Sequence, residues 1–252
     1  EKIAEREGFE VVITDVSEEY AVFGIWGPRA REIMAPLTDI DLSHEAFPFG
    51  GSREVSIAGV TVRMVRITYV GELGWEIYIP RKVTDAPLKV WQTILDAGTP
   101  LGLIPCGYRA IESLRLEKGY RAWGGEISTE RNPIEAGLRF AVSMKKERFL
   151  GRDALVALTA AGEPAKQLMA ITFDDITRVP IGKEPISYQG KVVAQMKSGG
   201  QGFTIKKSIG YAYLPSHISS GESVEVEFFG EKVVGLVSRE TLFDPSNARV
   251  LH

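Results

Sequence analysis

The strongest constraint on the fold is a change in amino-acid composition and pattern near residues 158–167, LTAAGEPAKQ. Beyond it, nearly every segment is a short run of β-branched and aromatic residues bounded by Gly or Pro turns. Many short strands with frequent turns are typical of a small antiparallel barrel or sandwich. We therefore predict a domain boundary near residue 160. The strand-like segments are LMAITFD, PISYQGKVVAQMKS, KSIGYAYLP and ESVEVEFFGEKVVGLVS.

Before this boundary, helical and strand patterns alternate. EKIAEREG predicts the end of a helix that stops at Gly8, and FEVVITDVSEEYAVFGIWGP predicts two strands about a polar turn. REVSIAGVTVRMVRITYV predicts an antiparallel hairpin that turns at Ala58–Gly59. Two helices follow. The first carries the apolar stripe Leu88, Trp91, Ile94 and Leu95, and the second is YRAIESLRLEKGY.

Charge and cysteine content exclude several classes of protein. The 30 basic and 33 acidic residues give a net charge of −3, which excludes a global nucleic-acid footprint. Cys106 is the only cysteine, so no intrachain disulfide forms, and we expect a cytoplasmic protein, or one of the mitochondrial matrix in a eukaryote. No apolar run approaches the roughly 20 residues that span a bilayer. The charged start at Glu1, without methionine, favours a piece of a longer polypeptide.

Several features carry only weak functional signals. His44, His217 and His252 are far apart, with no close partner at metal-ligand spacing, so we predict no metal site. Cys106 lies in the apolar context LIPCGY and favours packing over nucleophilic chemistry. GGQG at 199–202 lies among predicted hairpins, not between a strand and a helix, and predicts a flexible hairpin loop rather than a phosphate site.

Residues 106–121, CGYRAIESLRLEKGYR, concentrate positive charge on a predicted helix. Two interpretations stay open. One is an exposed helix, whose basic residues pair with Glu112 and Glu117 at i,i+3 or i,i+4 spacing. The other is a cationic patch for a carboxylate or phosphate ligand, beside aromatic rings at Tyr120 and Trp123 that could stack on a planar ligand. The basic residues are Arg109, Arg115, Lys118 and Arg121.

The segment RITYVGELGWEIYIP, residues 66–80, places two acids in a strand-like run. Residues two and four apart share a strand face, so Glu72 and Glu76 are expected on the face away from Trp75. Gly71 and Gly74 indicate a bulge or a close approach by another group. Either both acids lie in water, or one faces inward and accepts paired N–H bonds from a 2-amino-4-oxo heterocycle.

These motifs together resemble a known family. YVGELGWEIYIP, SLRLEKGYRAWGGEIS, NPIEAGLRFAV, FLGRDAL and LFDPSNAR resemble, in this order, the aminomethyltransferase family, the T-protein of the glycine cleavage system. EKGYRAWG and EAFPFG are similar to the folate-binding C-terminal half of dimethylglycine and sarcosine dehydrogenases. In those enzymes the module follows a flavin-dependent oxidase, and the present sequence shows no flavin-type Gly-rich fingerprint.

The resemblance implies an α+β cloverleaf of several lobes that binds tetrahydrofolate. It implies a folate-binding region of two α/β lobes over residues 1–157 and an antiparallel β-barrel domain over 158–252. Tyr69 and Glu76 would hold the pterin, and a basic residue near the C-terminus would face the glutamate tail. The implied folate-binding residues are Tyr69, Glu76, Arg109, Tyr120, Phe140 and Arg249.

The resemblance also places the family's catalytic aspartate before Glu1, and Asp15 is not expected to replace it. The implied function is one-carbon transfer to tetrahydrofolate from an amine or aminomethyl donor. A lipoyl carrier protein, or a fused or partner flavin oxidase, would deliver that donor, with no nucleic acid or membrane involved. Three alternatives stay open: a non-catalytic folate-binding or regulatory fragment, a folate-dependent demethylase, and a structural module for assembly.

Overall fold

The computed structural model describes residues 2–251, so Glu1 and His252 lie outside the described residues. The described chain divides into two compact units. The sheet unit comprises residues 2–68, 72–105 and 249–251, and the barrel unit comprises residues 69–71 and 106–248. The boundary inferred from the sequence, between 157 and 158, concerns a different division and stays a prediction.

The sheet unit is built on one antiparallel sheet of four strands, in the order β1-β4-β3-β2. One face of this sheet packs against α2 and α3, and the core contains Met64, Trp75, Ile77 and Val90. The elements are α1 (Lys2–Glu7), β1 (Tyr20–Trp26), α2 (Ala30–Met34), β2 (Ser52–Ile57), β3 (Val60–Val65), β4 (Gly74–Pro80) and α3 (Ala86–Gly98).

Two local predictions in this unit are confirmed. β2 and β3 pair antiparallel around Ala58 and Gly59, which both have a positive φ, of 54° and 75°. Positive φ at both central residues is what a tight hairpin turn requires. Gly8 has a φ of 68° directly after α1, so it ends that helix as predicted.

One prediction in this unit was wrong, and another holds only in part. Residues 9–16 form no strand, because no neighbouring strand accepts their backbone groups, and Val12 is 93% exposed. The predicted helix is α3, and it ends at Gly98 as predicted, but Leu88 of the predicted stripe is exposed and the buried face is formed by Ala86, Val90 and Ile94. A helical stripe drawn from large residues alone overlooked the small residues that let the helix approach the core.

The predicted α+β class and antiparallel barrel are confirmed. Six strands close into a barrel in the order β10-β5-β8-β7-β6-β9, and apolar side chains such as Ile171, Phe173 and Val226 fill it. The strands are β5 (Lys166–Phe173), β6 (Pro185–Tyr188), β7 (Lys191–Gly202), β8 (Lys207–Pro215), β9 (Ser223–Phe228) and β10 (Glu231–Ser238). The barrel unit also contains the helices α4 (Tyr108–Lys118) and α5 (Arg152–Ala160), and α6 (Ala248–Leu251) ends the described chain.

Helix α4 packs on the outer surface of the barrel. Leu116 of α4 lies in a cluster with Leu168 and Ala170 of β5. These two β5 residues alternate with Met169 and Ile171, whose side chains lie inside the barrel. The barrel is therefore the scaffold that positions α4 and the segment after it.

The prediction that GGQG at 199–202 is a flexible loop was wrong, because these residues belong to β7. A Cβ atom at Gly200 would lie 2.7 Å from the Leu116 side chain of α4. At Gly199 it would lie 2.6 Å from the carbonyl oxygen of Pro180. The glycines thus permit the close approach of α4 and of the segment at Pro180 to β7.

Candidate functional site

In the barrel unit, the candidate site begins where α4 ends. Gly119 caps the helix with a φ of 72°, a left-handed conformation that strains other residues, and Tyr120 follows directly. The rings of Tyr69 and Tyr120 are nearly parallel, with centroids 6.1 Å apart and planes at 14°. The Tyr69 hydroxyl donates a hydrogen bond of 3.1 Å to the Arg121 carbonyl oxygen. Two of the predicted site residues, distant in sequence, are therefore neighbours.

Burial further favours the neutral form of both tyrosines, which is already the ordinary form of a phenol at neutral pH. Loss of water raises the pKa of Tyr69 above its ordinary value, and it does the same for Tyr120. Both phenols therefore keep their proton at neutral pH. Each ring can present an uncharged aromatic face, and each hydroxyl stays a hydrogen-bond donor.

A buried ionic network lies next to this pair. Arg115, whose side chain is 2% exposed, pairs with Glu126 at 2.7 Å and also with Glu112. Burial opposes the charge of Arg115, but its hydrogen bonds to Glu112 and Glu126 outweigh that effect and raise its pKa. Arg115 also donates to the carbonyl oxygen of Tyr120 at 3.1 Å.

The expectation of an exposed helix at 106–121 is therefore wrong for its second half. Arg115, Glu117 and Lys118 are all buried. Lys118 contacts the carboxylate of Asp244 at 3.0 Å and its carbonyl oxygen at 2.6 Å, so its charge is engaged inside the barrel unit. The predicted spacing of ion pairs is confirmed only for Glu112 with Arg115.

The glycine of the YVGE motif has a steric role here. Gly71 has a φ of 77°, and a Cβ atom there would lie 2.7 Å from the side chain of Lys118. In the sheet unit, a Cβ at Gly74 would lie 2.0 Å from the carbonyl oxygen of Ile25. The prediction that these two glycines mark close approaches is confirmed.

In the sheet unit, Glu76 lies on the face of β4 opposite the buried core. Trp75 and Ile77 are fully buried on the other face, as strand alternation requires. The Tyr78 hydroxyl donates to one oxygen of Glu76 at 2.8 Å. This hydrogen bond raises the pKa of Tyr78, so Tyr78 stays protonated at neutral pH and orients the carboxylate.

An aromatic ring borders Glu76 across the strand pair. Gly24 of β1 is the register partner of Glu76, and a Cβ at Gly24 would lie 2.1 Å from the indole of Trp26. The Trp26 indole N–H donates to the carbonyl oxygen of Ile67 at 2.9 Å, which fixes the ring. Glu76 therefore lies beside a fixed indole, in a setting suited to a planar ligand.

Glu72 lies just before β4 and has a different environment. One of its oxygens accepts a hydrogen bond from Arg249 at 2.9 Å. Its other oxygen is buried and has no hydrogen-bond partner among residues 2–251. Arg249, expected to face a ligand tail, is thus paired with Glu72 within the sheet unit, and its side chain is half exposed.

The last two predicted site residues are exposed in the barrel unit. The side chain of Arg109, in the first turn of α4, forms no hydrogen bond or ion pair with any part of the chain that the structure describes. The side chain of Phe140 is 85% exposed. Both side chains are accessible to a ligand or partner, and their assignment to the site stays a prediction.

Two comparisons with family models decide the relationship. Residues 1–146 match the model described as the GCVT N-terminal domain. Residues 166–244 match the glycine cleavage T-protein C-terminal barrel domain. The chain belongs to the glycine cleavage T-protein family. The resemblance inferred from the motifs is confirmed.

Individual members of the T-protein family align with nearly the whole chain. The mitochondrial dimethylglycine dehydrogenase of Mus musculus is 38% identical over 99% of this chain and 29% of its own length. The mitochondrial sarcosine dehydrogenase of Homo sapiens is 39% identical over 94% of this chain and 26% of its own length. The aminomethyltransferase of Symbiobacterium thermophilum is 38% identical over 88% of this chain and 59% of its own length.

A solved structure shows the same fold. The crystal structure of the glycine cleavage system aminomethyltransferase T from Bartonella henselae superimposes with a TM-score of 0.79 and 22% identity, over 97% of this chain and 65% of that one. The present chain therefore spans under a third of the two dehydrogenases and about two thirds of this aminomethyltransferase.

The described residues show neither a metal cluster nor a membrane-spanning helix. No group of three or more His, Cys, Asp or Glu residues with metal-binding geometry occurs within residues 2–251. None of the described helices is long and apolar enough to cross a membrane. His252, one of the three histidines for which no metal site is predicted, lies outside the described residues.

Sequence reasoning missed three residues that adjoin the candidate side chains within the two units. Tyr78 lies two residues after Glu76, so strand alternation places it on the same face, and this signal was present. Trp26 lies on the same face of β1 as Gly24, and it comes beside Glu76 only because β1 pairs with β4, which no local pattern reveals. Glu126 reads as an exposed acid in a Gly-rich loop, yet it is 2% exposed.

Proposed function

We propose that this chain is a tetrahydrofolate-binding module that transfers an aminomethyl or methylene unit. The observation that carries the proposal is the parallel pair of Tyr69 and Tyr120, which the resemblance had separately assigned to folate binding. Family membership supports the reaction class, because aminomethyltransferases are among the relatives. The activity of any longer enzyme that contains this module is part of the same proposal.

The chemistry of the side chains fits a reduced folate. A pterin presents an amino group and a ring N–H side by side, and a carboxylate accepts two such parallel bonds. Glu76 is half-buried, is oriented by Tyr78, and keeps acceptor capacity beyond the one bond from that hydroxyl. Neutral tyrosine faces suit a flat heterocycle. Arg109 and Arg249 supply positive charge for the carboxylates of the glutamate tail.

The work of these residues would be binding and orientation. Tetrahydrofolate, when bound, supplies the nitrogen atoms that carry the one-carbon unit. Glu76 would fix the rotation of the pterin, and the aromatic rings would fix its plane. Holding two reactants in a productive geometry supplies a large part of a catalytic barrier reduction, up to about 7–11 kcal/mol.

The donor and its delivery belong to the proposal as well. The dehydrogenase relatives support an amine donor oxidised by a flavin enzyme, either fused or as a partner. The aminomethyltransferase relatives support an aminomethyl donor. Its delivery by a lipoyl carrier protein is what the family resemblance implies. The mitochondrial names of the dehydrogenases support a matrix location in a eukaryote.

Isothermal titration with tetrahydrofolate tests the proposal. Glu76→Gln removes the charged acceptor, and we expect the Kd to rise about ten- to a hundredfold. Glu54→Gln is the matched control, because Glu54 is an exposed carboxylate of the same sheet, paired with Arg63. It should bind folate like the wild type.

Absence of binding by the unsubstituted protein would refute the proposal. Equal affinity in Glu76→Gln would refute the assignment of Glu76. Mass analysis of the folate product then separates methylene from methyl transfer. Binding without any product, in the presence of a competent donor, would indicate a non-catalytic folate-binding protein.

A further inference from the structure

The segment after α4 is held from both sides by one buried ion pair. Arg115 donates to the carbonyl oxygen of Tyr120 at 3.1 Å. Glu126 accepts from the backbone N–H of Ala122 at 2.7 Å. The two side chains are joined to each other at 2.7 Å. The ion pair therefore clamps the backbone on both sides of Arg121, immediately after the ring of Tyr120.

A third bond completes the clamp and involves the other ring. The Tyr69 hydroxyl donates to the carbonyl oxygen of Arg121, which lies between the two clamped groups. Three backbone groups in sequence, from Tyr120 to Ala122, thus have fixed partners. The relative orientation of the two tyrosine rings depends on all three bonds.

The ion pair is also anchored to the barrel. The hydroxyl of Ser198 in β7 donates to the same oxygen of Glu126 that pairs with Arg115. The hydroxyl of Tyr213 in β8 donates to the Glu126 backbone carbonyl at 2.9 Å. Glu126 therefore links two strands of the barrel to the segment that carries Tyr120, and so fixes that segment relative to them.

Stability alone does not explain this arrangement. The side chains of Arg115 and Glu126 are 2% and 1% exposed, so both charges have lost their water. Replacing such a buried pair by well-packed apolar residues is often neutral or stabilising. An apolar pair, however, cannot hydrogen-bond the backbone of Tyr120 and Ala122. What the charges provide is a defined geometry.

We propose that Glu126 and Arg115 are positioning residues that set the ring of Tyr120 against Tyr69 to receive the flat ring system of a folate. The inference rests on the proposed function, and it assigns to the barrel unit a set of residues that act on the ligand only through Tyr120. Glu126 need not contact the ligand.

The first test compares two carboxylates of the same region. In Glu126→Gln, we expect the Kd for 5-formyltetrahydrofolate, a stable reduced folate, to rise about tenfold or more. The matched control is Glu117→Gln. Glu117 is 1% exposed and accepts hydrogen bonds from the N–H groups of Thr204 and Ile205, in the turn between β7 and β8. This control should lose stability while its Kd stays within about twofold of the wild type.

The second test separates positioning from stability. Glu126→Leu leaves Arg115 without its most buried partner and should lower Tm. The double variant Arg115→Met/Glu126→Leu removes the unpaired charge and should recover most of that Tm. Its affinity for 5-formyltetrahydrofolate should stay as low as that of the single variant. Recovery of affinity together with Tm would show a merely structural role and overturn the inference.

A ligand-free measurement keeps this inference distinct from the proposed function. The near-ultraviolet circular dichroism of stacked tyrosines should weaken in Glu126→Gln and in Tyr120→Leu, but not in Glu117→Gln. If the wild type binds folate and Glu126→Gln binds equally well, only the positioning role fails. If the wild type binds no folate, the proposed function fails, and the ligand role of the clamp falls with it.

Discussion

Glu72 and Glu76 lie four residues apart in one motif, but their side chains have different environments and different hydrogen-bond partners. Glu76 is presented on a strand face beside aromatic rings and is oriented by a single hydroxyl. Glu72 precedes the strand, is 15% exposed, and pairs with Arg249. A carboxylate that is enclosed and ion-paired within its own unit contributes to the fold rather than to a ligand. The two acids should therefore respond differently to the same substitution.

At the residue scale, we expect Glu72→Gln to lower the free energy of unfolding. The substitution removes one charge of a partly exposed ion pair, so the loss should be about 0.5–1 kcal/mol. Chemical denaturation monitors stability, and titration with tetrahydrofolate monitors binding. Because Glu72 contacts the ligand, if at all, only through Arg249, the Kd should change far less than in Glu76→Gln. A normal stability with a weakened affinity would show that the roles of the two acids are reversed.

At the scale of elements, alternation and turn chemistry were sufficient to predict the β2–β3 hairpin and a C-terminal barrel or sandwich, and the resemblance then favoured the barrel. Each strand there has a partner nearby in the sequence or a repeated pattern of buried residues. Residues 9–16 are also rich in β-branched residues, but they have no partner strand, so strand propensity alone gave a wrong prediction there. The resemblance assigned Tyr69 and Tyr120 separately to folate binding, and only the structure shows that their rings are neighbours, because no local pattern joins two such distant residues.

Close approach between elements was also invisible in the sequence. The burial of Arg115 and Glu126 depends on how α4 packs on the barrel, and charge spacing on one helix cannot show this. The glycines of β7 were read as flexible for the same reason. A glycine can be interpreted as making room for a neighbouring element only when the position of that element is known.

A substitution at Gly199 tests this steric interpretation. A Cβ atom there would lie 2.6 Å from the Pro180 carbonyl oxygen and 2.9 Å from that of Ile209, and backbone atoms cannot move aside cheaply. We therefore expect Gly199→Ala to cost about 1–3 kcal/mol of stability. Gly107→Ala is the control, because no atom lies within 4 Å of a Cβ at that position. Equal stability of the two variants would contradict this interpretation of β7.

At the scale of the whole molecule, each unit has its own hydrophobic core. One core surrounds Trp75 in the sheet unit, and another fills the barrel around Phe173. The predicted folate residues are divided between the units, with Glu76 and Arg249 in one and the other four in the second. Binding to the intact protein is therefore the appropriate measurement, since neither unit carries the full set.

A ligand that binds only the folded protein must stabilise it by mass action. At one hundred times its Kd, tetrahydrofolate should add about 2.7 kcal/mol to the free energy of unfolding. For a protein of this size, each kcal/mol raises Tm by about 2–4 °C, so the total shift should be roughly 5–10 °C. Differential scanning calorimetry measures it. At the same folate concentration, Glu54→Gln should show the full shift and Glu76→Gln a much smaller one, because its site is only partly occupied. A structural module for assembly predicts no shift in any of the three proteins, and that result would exclude a folate function for this chain.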